Sequence, residues 1–226
     1  SGAMYIESQL DNLNYPCNNS PTFTNKPVPF ICVGQQYCFN NGANDIDGDS
    51  LSYQMVIPAT SATNNVVYTP PYSATQPLAS NPAVTLNPLT GDICMTPTQL
   101  QVTVFAVLVT EWRNGVPIGQ IRRDIQIRTI TCNNNNPYLN GINNTGNYNI
   151  NHCIGSPLTF SIPSFDNDPG DNVTLTWNNG IPGGTFNPGT GSNPTATFTW
   201  NPTINDVSTT PYCFTVTAAD DNCPII

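Results

Sequence analysis

An internal duplication constrains this chain more than any other feature, and its sharpest landmark is an acidic turn. Asp45-Ile46-Asp47-Gly48-Asp49-Ser50-Leu51 sets three carboxylates around a glycine just ahead of an alternating run, and Asp166-Asn167-Asp168-Pro169-Gly170-Asp171-Asn172-Val173 repeats the three acids. Flanking landmarks keep the same order. Cys17-Asn18-Asn19-Ser20-Pro21-Thr22-Phe23 returns as Cys132-Asn133-Asn134-Asn135-Asn136-Pro137-Tyr138, and Cys32-Val33-Gly34 returns as Cys153-Ile154-Gly155. Phe39 and Phe160 each precede the first aspartate by six residues. At 226 residues the chain also exceeds the usual single-domain size of roughly 100–150 residues. Two domains are expected, 5–132 and 133–226. Ser1 to Met4 read as a remnant of cloning ahead of the native start, which implies an excised piece of a longer protein.

Within each copy the pattern is that of strands. Leu51 to Ile57 and Val173 to Trp177 alternate as half-buried strands do. Asn87-Pro88-Leu89-Thr90-Gly91 and Asn187-Pro188-Gly189-Thr190-Gly191 mark equivalent turns. The longest runs come last, Val102 to Trp112 in one copy and Tyr212 to Asp220 in the other. In the first copy Asn114-Gly115 signals a hairpin into a strand around Ile118 to Ile130. The second copy reaches Ile226 without a counterpart of that last strand. Ala59 to Asn81 is an insert peculiar to the first copy, expected as a surface excursion. Tyr5 to Leu10 alternates weakly and reads as a strand completing whatever precedes this piece. Gly and Pro together number 38 and only 8% of residues are charged, against roughly 25% in typical domains. Short Val/Ile/Thr/aromatic runs between Asn-Gly-Pro clusters define an all-β fold.

Alternating acids on a tight turn present hard oxygen ligands together, and such a cluster is stable once a cation or water satisfies it. Calcium is the leading candidate. An EF-hand is excluded, because glycine stands at position 4 of the loop and Val56 occupies the place of the bidentate glutamate. A plain Asp-Gly turn needing no metal is the competing reading.

The net charge of −9, with only five Lys plus Arg, leaves no basic patch for nucleic acid and no polybasic membrane anchor. No apolar run approaches the ~18 residues of a membrane-spanning helix. Eight cysteines, none in a CxxC spacing, indicate disulfides and an oxidising, extracytoplasmic setting.

The order of acidic turn, strand, Asn-Pro-x-Thr-Gly turn, x-Thr-Pro-Thr and a strand ending in an acid resembles cadherin-like and bacterial immunoglobulin-like repeats. More closely, Cys-Asn-Asn-Ser-Pro-x-Phe, Asp-Ile-Asp-Gly-Asp-Ser-Leu-Ser-Tyr and Glu-Trp-Arg-Asn-Gly-x-x-Ile-Gly-x-x-Arg-Arg-Asp-Ile-Gln resemble repeats of very long Bacteroidetes surface proteins, the SprB-type gliding-motility adhesins. The resemblance implies two tandem immunoglobulin-like/cadherin-like β-sandwich domains on the bacterial outer surface, with stalk or adhesive function and adjacent repeats as partners. The seven-strand topology of such sandwiches brings Glu111 to the first acidic turn and Asp220 to the second. Expected calcium ligands are therefore Asp45, Asp47, Asp49 and Glu111, then Asp166, Asp168, Asp171 and Asp220. The Asn133 to Asn136 run adds oxygens to the second set, and calcium there is expected to stiffen the joint between domains.

Cys38 and Cys94 align with Thr159 and Thr199, so both vanish together in the second copy, which points to a Cys38–Cys94 bond. Cys17 with Cys32, Cys132 with Cys153 and Cys213 with Cys223 then remain, while a Cys32 to Cys132 clasp around the whole domain stays open.

Catalysis is not expected. The only histidine, His152, stands without a motif nucleophile, and no Gly-x-Ser-x-Gly elbow, zinc-binding His pair or phosphate loop is present. The acids crowd onto one turn, whereas glycosidase acids need separation across a cleft. The rival function is a carbohydrate-binding accessory module for surface polysaccharide. Its stacking platforms would be Tyr68 and Tyr72 of the insert, with Trp177 and Trp200 in the core.

Overall fold

The computed structural model describes residues 5–209 and 211–222. The chain divides into two compact units, Ser1–Thr131 and Cys132–Ile226, and each is a two-layer β-sandwich.

In the first unit the strands are β1 (Ser8–Leu10), β2 (Thr22–Phe23), β3 (Phe30–Cys32), β4 (Tyr37–Asn40), β5 (Ala43–Asn44), β6 (Ser50–Val56), β7 (Thr85–Leu86), β8 (Asp92–Met95), β9 (Val102–Arg113) and β10 (Val116–Ile130). The large sheet runs β1-β10-β9-β6, with β3 added parallel to β10. The smaller layer is β4-β8-β7, and β2 pairs with β5. Asn114 and Gly115 join β9 to β10 with φ of 53° and 77°. Both central residues of a type I′ turn need positive φ, and the twist of that turn matches the strands it connects. Tyr37, Ile93 and Met95 of the smaller layer meet Phe105, Ile125 and Ile127 of the large sheet across the interior.

Alternation along β9 builds this core and also delivers the acid. Thr103, Phe105, Val107, Val109 and Glu111 share the inward rank, and all five are buried. Period two thus carries a carboxylate into the end of the sandwich.

Three expectations are corrected or refined here. β1 completes its own unit, pairing antiparallel with β10 from Ser8↔Ile121 to Leu10↔Gly119, so it does not belong to a preceding domain. The 59–81 insert is an excursion over the surface, but it is pinned rather than free. Tyr68 Oη donates to Val104 O at 2.7 Å, Thr103 Oγ1 donates to Pro77 O at 2.5 Å, and Leu78 is 2% exposed. The physical reason lies in the outer face of β9, where Val104, Ala106 and Leu108 need an apolar cover. The third concerns the cysteines. Cys38 and Cys94 are disulfide-bonded and face each other in register on β4 and β8. Cys32 and Cys132 are also disulfide-bonded, but Cys17 and Cys153 are exposed free thiols. The Cys17–Cys32 and Cys132–Cys153 pairs are therefore excluded. Cys17 sits at φ 68° on an exposed turn, whereas Cys32 is buried at the end of β3. Cys213 is exposed, and its expected partner Cys223 lies outside the described residues.

The second unit comprises β11 (Tyr138–Leu139), β12 (Leu158–Phe165), β13 (Thr174–Trp177), β14 (Thr185–Asn187), β15 (Thr195–Trp200) and β16 (Val216–Ala219). One sheet runs β11-β12-β15-β14 and the other is β13-β16. Leu158, Phe160, Ile162, Val173, Leu175, Ile181, Ala196 and Phe198 form the core between them, with Trp177 and Trp200 packed against it. β16 is shorter than the 212–220 run predicts. Thr215 O accepts Asn178 N at 3.2 Å but Thr215 N donates at 3.0 Å to Asn178 Oδ1, so a side chain takes the place of the backbone carbonyl there and regular pairing stops.

Candidate metal centres

The first acidic turn lies between β5 and β6, and oxygens of Asp45, Asp47 and Asp49 all fall within 4.8 Å of one another. Asp45 Oδ1 accepts the backbone N–H groups of Asp47 at 2.9 Å and Asp49 at 3.0 Å. This closes the turn, with Gly48 at φ 80° supplying a left-handed residue at no steric cost. Asn19 holds Asp47 through its backbone N–H at 2.6 Å and its side-chain amide at 3.2 Å. Arg113 forks onto Asp49, with Nε at 2.7 Å from Oδ1 and Nη2 at 2.5 Å from Oδ2.

Glu111 stands behind this turn and is 0% exposed. Its Oε1 accepts Asn18 Nδ2 at 2.5 Å, while Oε2 and the Asp45 Oδ2 are buried oxygens with no hydrogen-bond partner. Its neighbours in register are Leu51 on β6 and Gly119 on β10. A Cβ at Gly119 would run into Glu111 Oε2, so the glycine makes room for the carboxylate. Burial pushes the Glu111 carboxyl up to about 7, and the charges of Asp45 and Asp49 add to the rise against the Asn18 hydrogen bond. Asp45 is raised too, first by burial and then by Asp49 and Asp47, against the N–H groups it accepts. Acids crowded this way resist ionisation unless a positive charge joins them. A hard divalent cation fits what the donors lack.

The second turn lies between β12 and β13. Asp166, Asp171 and Asp220 bring oxygens within 4.8 Å of one another. Asp220 follows β16 in the same inward rank as Val216 and Ala218 and is 5% exposed. It accepts Asn134 Nδ2 at 2.8 Å and Asn222 N at 3.1 Å. Asp166 Oδ1 accepts Asp168 N at 2.8 Å, whereas Oδ2 is a buried oxygen without a partner. Burial raises the Asp166 carboxyl, and the charges of Asp220, Asp168 and Asp171 follow. Asp168 stands outside this group of three and accepts the side-chain amide of Asn135 at 2.8 Å.

Sequence reasoning passed over Asn18, Arg113 and Gly119. Arg113 and Gly119 carry no sign of their role, because only strand register sets them beside the acids. Asn18 has a signal in the repeated Asn run, where its counterpart is Asn134, which donates to Asp220 as Asn18 donates to Glu111. Tyr68 and Tyr72 are both half-buried, and the Tyr72 Oη accepts Gln99 Nε2 at 2.6 Å. His152 is exposed, with Nε2 2.8 Å from Ser156 O.

Fold and site define the chain as all-β, two β-sandwich units in tandem with an acid-rich turn in each. No protein-family model matches it, and no curated protein matches it in sequence. Among solved structures, a protocadherin gammaB7 EC3-6 cis-dimer is 18% identical, covering 92% of this chain and 45% of its own, with a TM-score of 0.30. Murine CEACAM1b is 11% identical, covering 86% and 89%, with a TM-score of 0.27. This chain thus spans under half of the protocadherin chain.

Proposed function

We propose that this chain is a non-enzymatic repeat segment of a bacterial cell-surface adhesin of the gliding-motility kind, pinned by disulfides and braced by calcium. The observation that carries it is Glu111, a fully buried carboxylate with an unsatisfied oxygen facing two further acids. Such a group is costly in the fold until a cation neutralises it. Disulfides at Cys38–Cys94, Cys32 and Cys132 support an extracellular location, since thiols are held reduced in the cytosol. Adjacent repeats are the natural partners of such a segment. The Tyr68 hydroxyl ties the insert to Val104 of β9 and the Tyr72 hydroxyl accepts Gln99 Nε2 of the β8–β9 loop, so surface polysaccharide at these two rings is not the partner we propose.

Calcium titration of the whole chain by calorimetry, with melting followed in parallel, tests this reading. Sites with three or four carboxylates are expected to bind at roughly 10⁻⁷ to 10⁻⁴ M. At a free calcium concentration about 100-fold above Kd each occupied site adds about 2.7 kcal/mol, which raises the melting temperature by roughly 10 °C for units of this size. Millimolar calcium that produces neither heat nor a melting shift overturns the proposal.

A further inference from the structure

The two acidic turns differ in one respect that bears directly on a cation. In the first, Arg113 holds Asp49 through two charge-assisted bonds, and its Nη2 also donates to Asn18 Oδ1 at 2.6 Å. The guanidinium stacks over the Tyr15 ring at 5.7 Å. Asn18 in turn donates to Glu111, so one cation already serves the carboxylates of this turn directly and through an amide. In the second turn the position facing Asp171 is taken by the neutral Asn222, whose Nδ2 lies 3.3 Å from both carboxylate oxygens. The second unit carries six aspartates and no Lys or Arg at all, so it has no side chain of that kind to play the part of Arg113.

We infer that Arg113 is a built-in counterion that competes with a divalent cation for the first acidic turn, so that the two turns load at different concentrations, the second before the first. This rests on the calcium reading above. The physical argument is electrostatic. A divalent ion entering beside Asp45, Asp49 and the unsatisfied Glu111 oxygen meets a fixed positive charge, and it must share or displace the fork on Asp49. In the second turn the same ion meets only amide donors, which rotate without charge repulsion. The bidentate fork makes this competition specific to arginine geometry, since a lysine ammonium binds one point rather than two. Arg113 is therefore a positioning and affinity-setting residue. The remaining oxygens are those expected to hold the ion.

Calcium chloride titration of the whole chain tests the inference, with the two events assigned by Asp49→Asn and Asp171→Asn. The wild-type chain is expected to show two separable affinities, with the weaker event lost in Asp49→Asn. Arg113→Gln is expected to tighten that weaker event by about tenfold or more, and Arg113→Lys, which keeps the charge but not the fork, to fall between. The stronger event should not move in either variant. Calcium uptake at two turns with the weaker affinity unchanged or reduced in Arg113→Gln overturns the counterion role and leaves the calcium reading standing. Absence of uptake at either turn overturns both. A folding defect in Arg113→Gln is guarded against by Arg113→Lys, whose affinity must still exceed that of wild type.

Discussion

Replacing Glu111 by glutamine separates what the acid costs the fold from what it offers a cation. Glu111 is fully buried and its carboxyl is raised from 4.5 to about 7. A carboxyl raised in the fold binds its proton more tightly there than in the unfolded chain. Its contribution is therefore fully present below pH ~4.5 and is lost progressively as pH climbs to ~7. Taken at face value the rise corresponds to on the order of 3 kcal/mol. Glu111→Gln keeps an acceptor for Asn18 and removes the charge. In EDTA at pH 8 it should stabilise the first unit by about that amount, while at pH 4 the two proteins should melt together. In saturating calcium the order reverses, because the variant has lost an anionic ligand and the gain from mass action shrinks with affinity. Scanning calorimetry at the two pH values, with and without calcium, reads all four states. A variant no more stable than wild type in EDTA at pH 8, with unchanged calcium affinity, would refute the reasoning.

Two further outcomes follow from packing and covalent structure. Removing the Cys38–Cys94 bond, which spans 56 residues, by Cys38→Ser with Cys94→Ser should cost the first unit about 2–4 kcal/mol in urea unfolding, with the second unit unaffected. Phe198→Ala deletes a 0% exposed ring packed 4.7 Å from Phe214 and 5.1 Å from Phe160. It should cost about 3–5 kcal/mol, seen as loss of the second unit's transition alone, and a loss below about 1 kcal/mol would show that this core repacks freely.

Much of the architecture is readable without coordinates, because it depends on local rules. The alternation of Val102 to Trp112 is strand period, and Asn114-Gly115 is the dipeptide that most readily takes the two positive φ values of a type I′ hairpin. The Cys38–Cys94 bond follows from two landmarks lost together in the second copy. The Cys17–Cys32 and Cys132–Cys153 pairs do not form because equivalent sequence positions need not be equally buried. Cys32 faces the core and its counterpart Cys153 faces water, a difference made by strand placement alone. That the insert lies at the surface is legible in its polar composition; that it is pinned to β9 is not, because the outer face it covers is set by the sheet.

The order of residues along the chain decides that there are two related all-β units and that each has three acids on one bend, since turn chemistry and period two act over a few neighbours. The tertiary fold decides what those acids meet. Glu111 lies 62 residues beyond Asp49, and Arg113 reaches Asp49 across a separation of 64. Which of these charges is buried, which is paired and which oxygen is left wanting depends on the register of β6, β9 and β10. Register is set by how the whole sandwich packs, and no short stretch of sequence contains it.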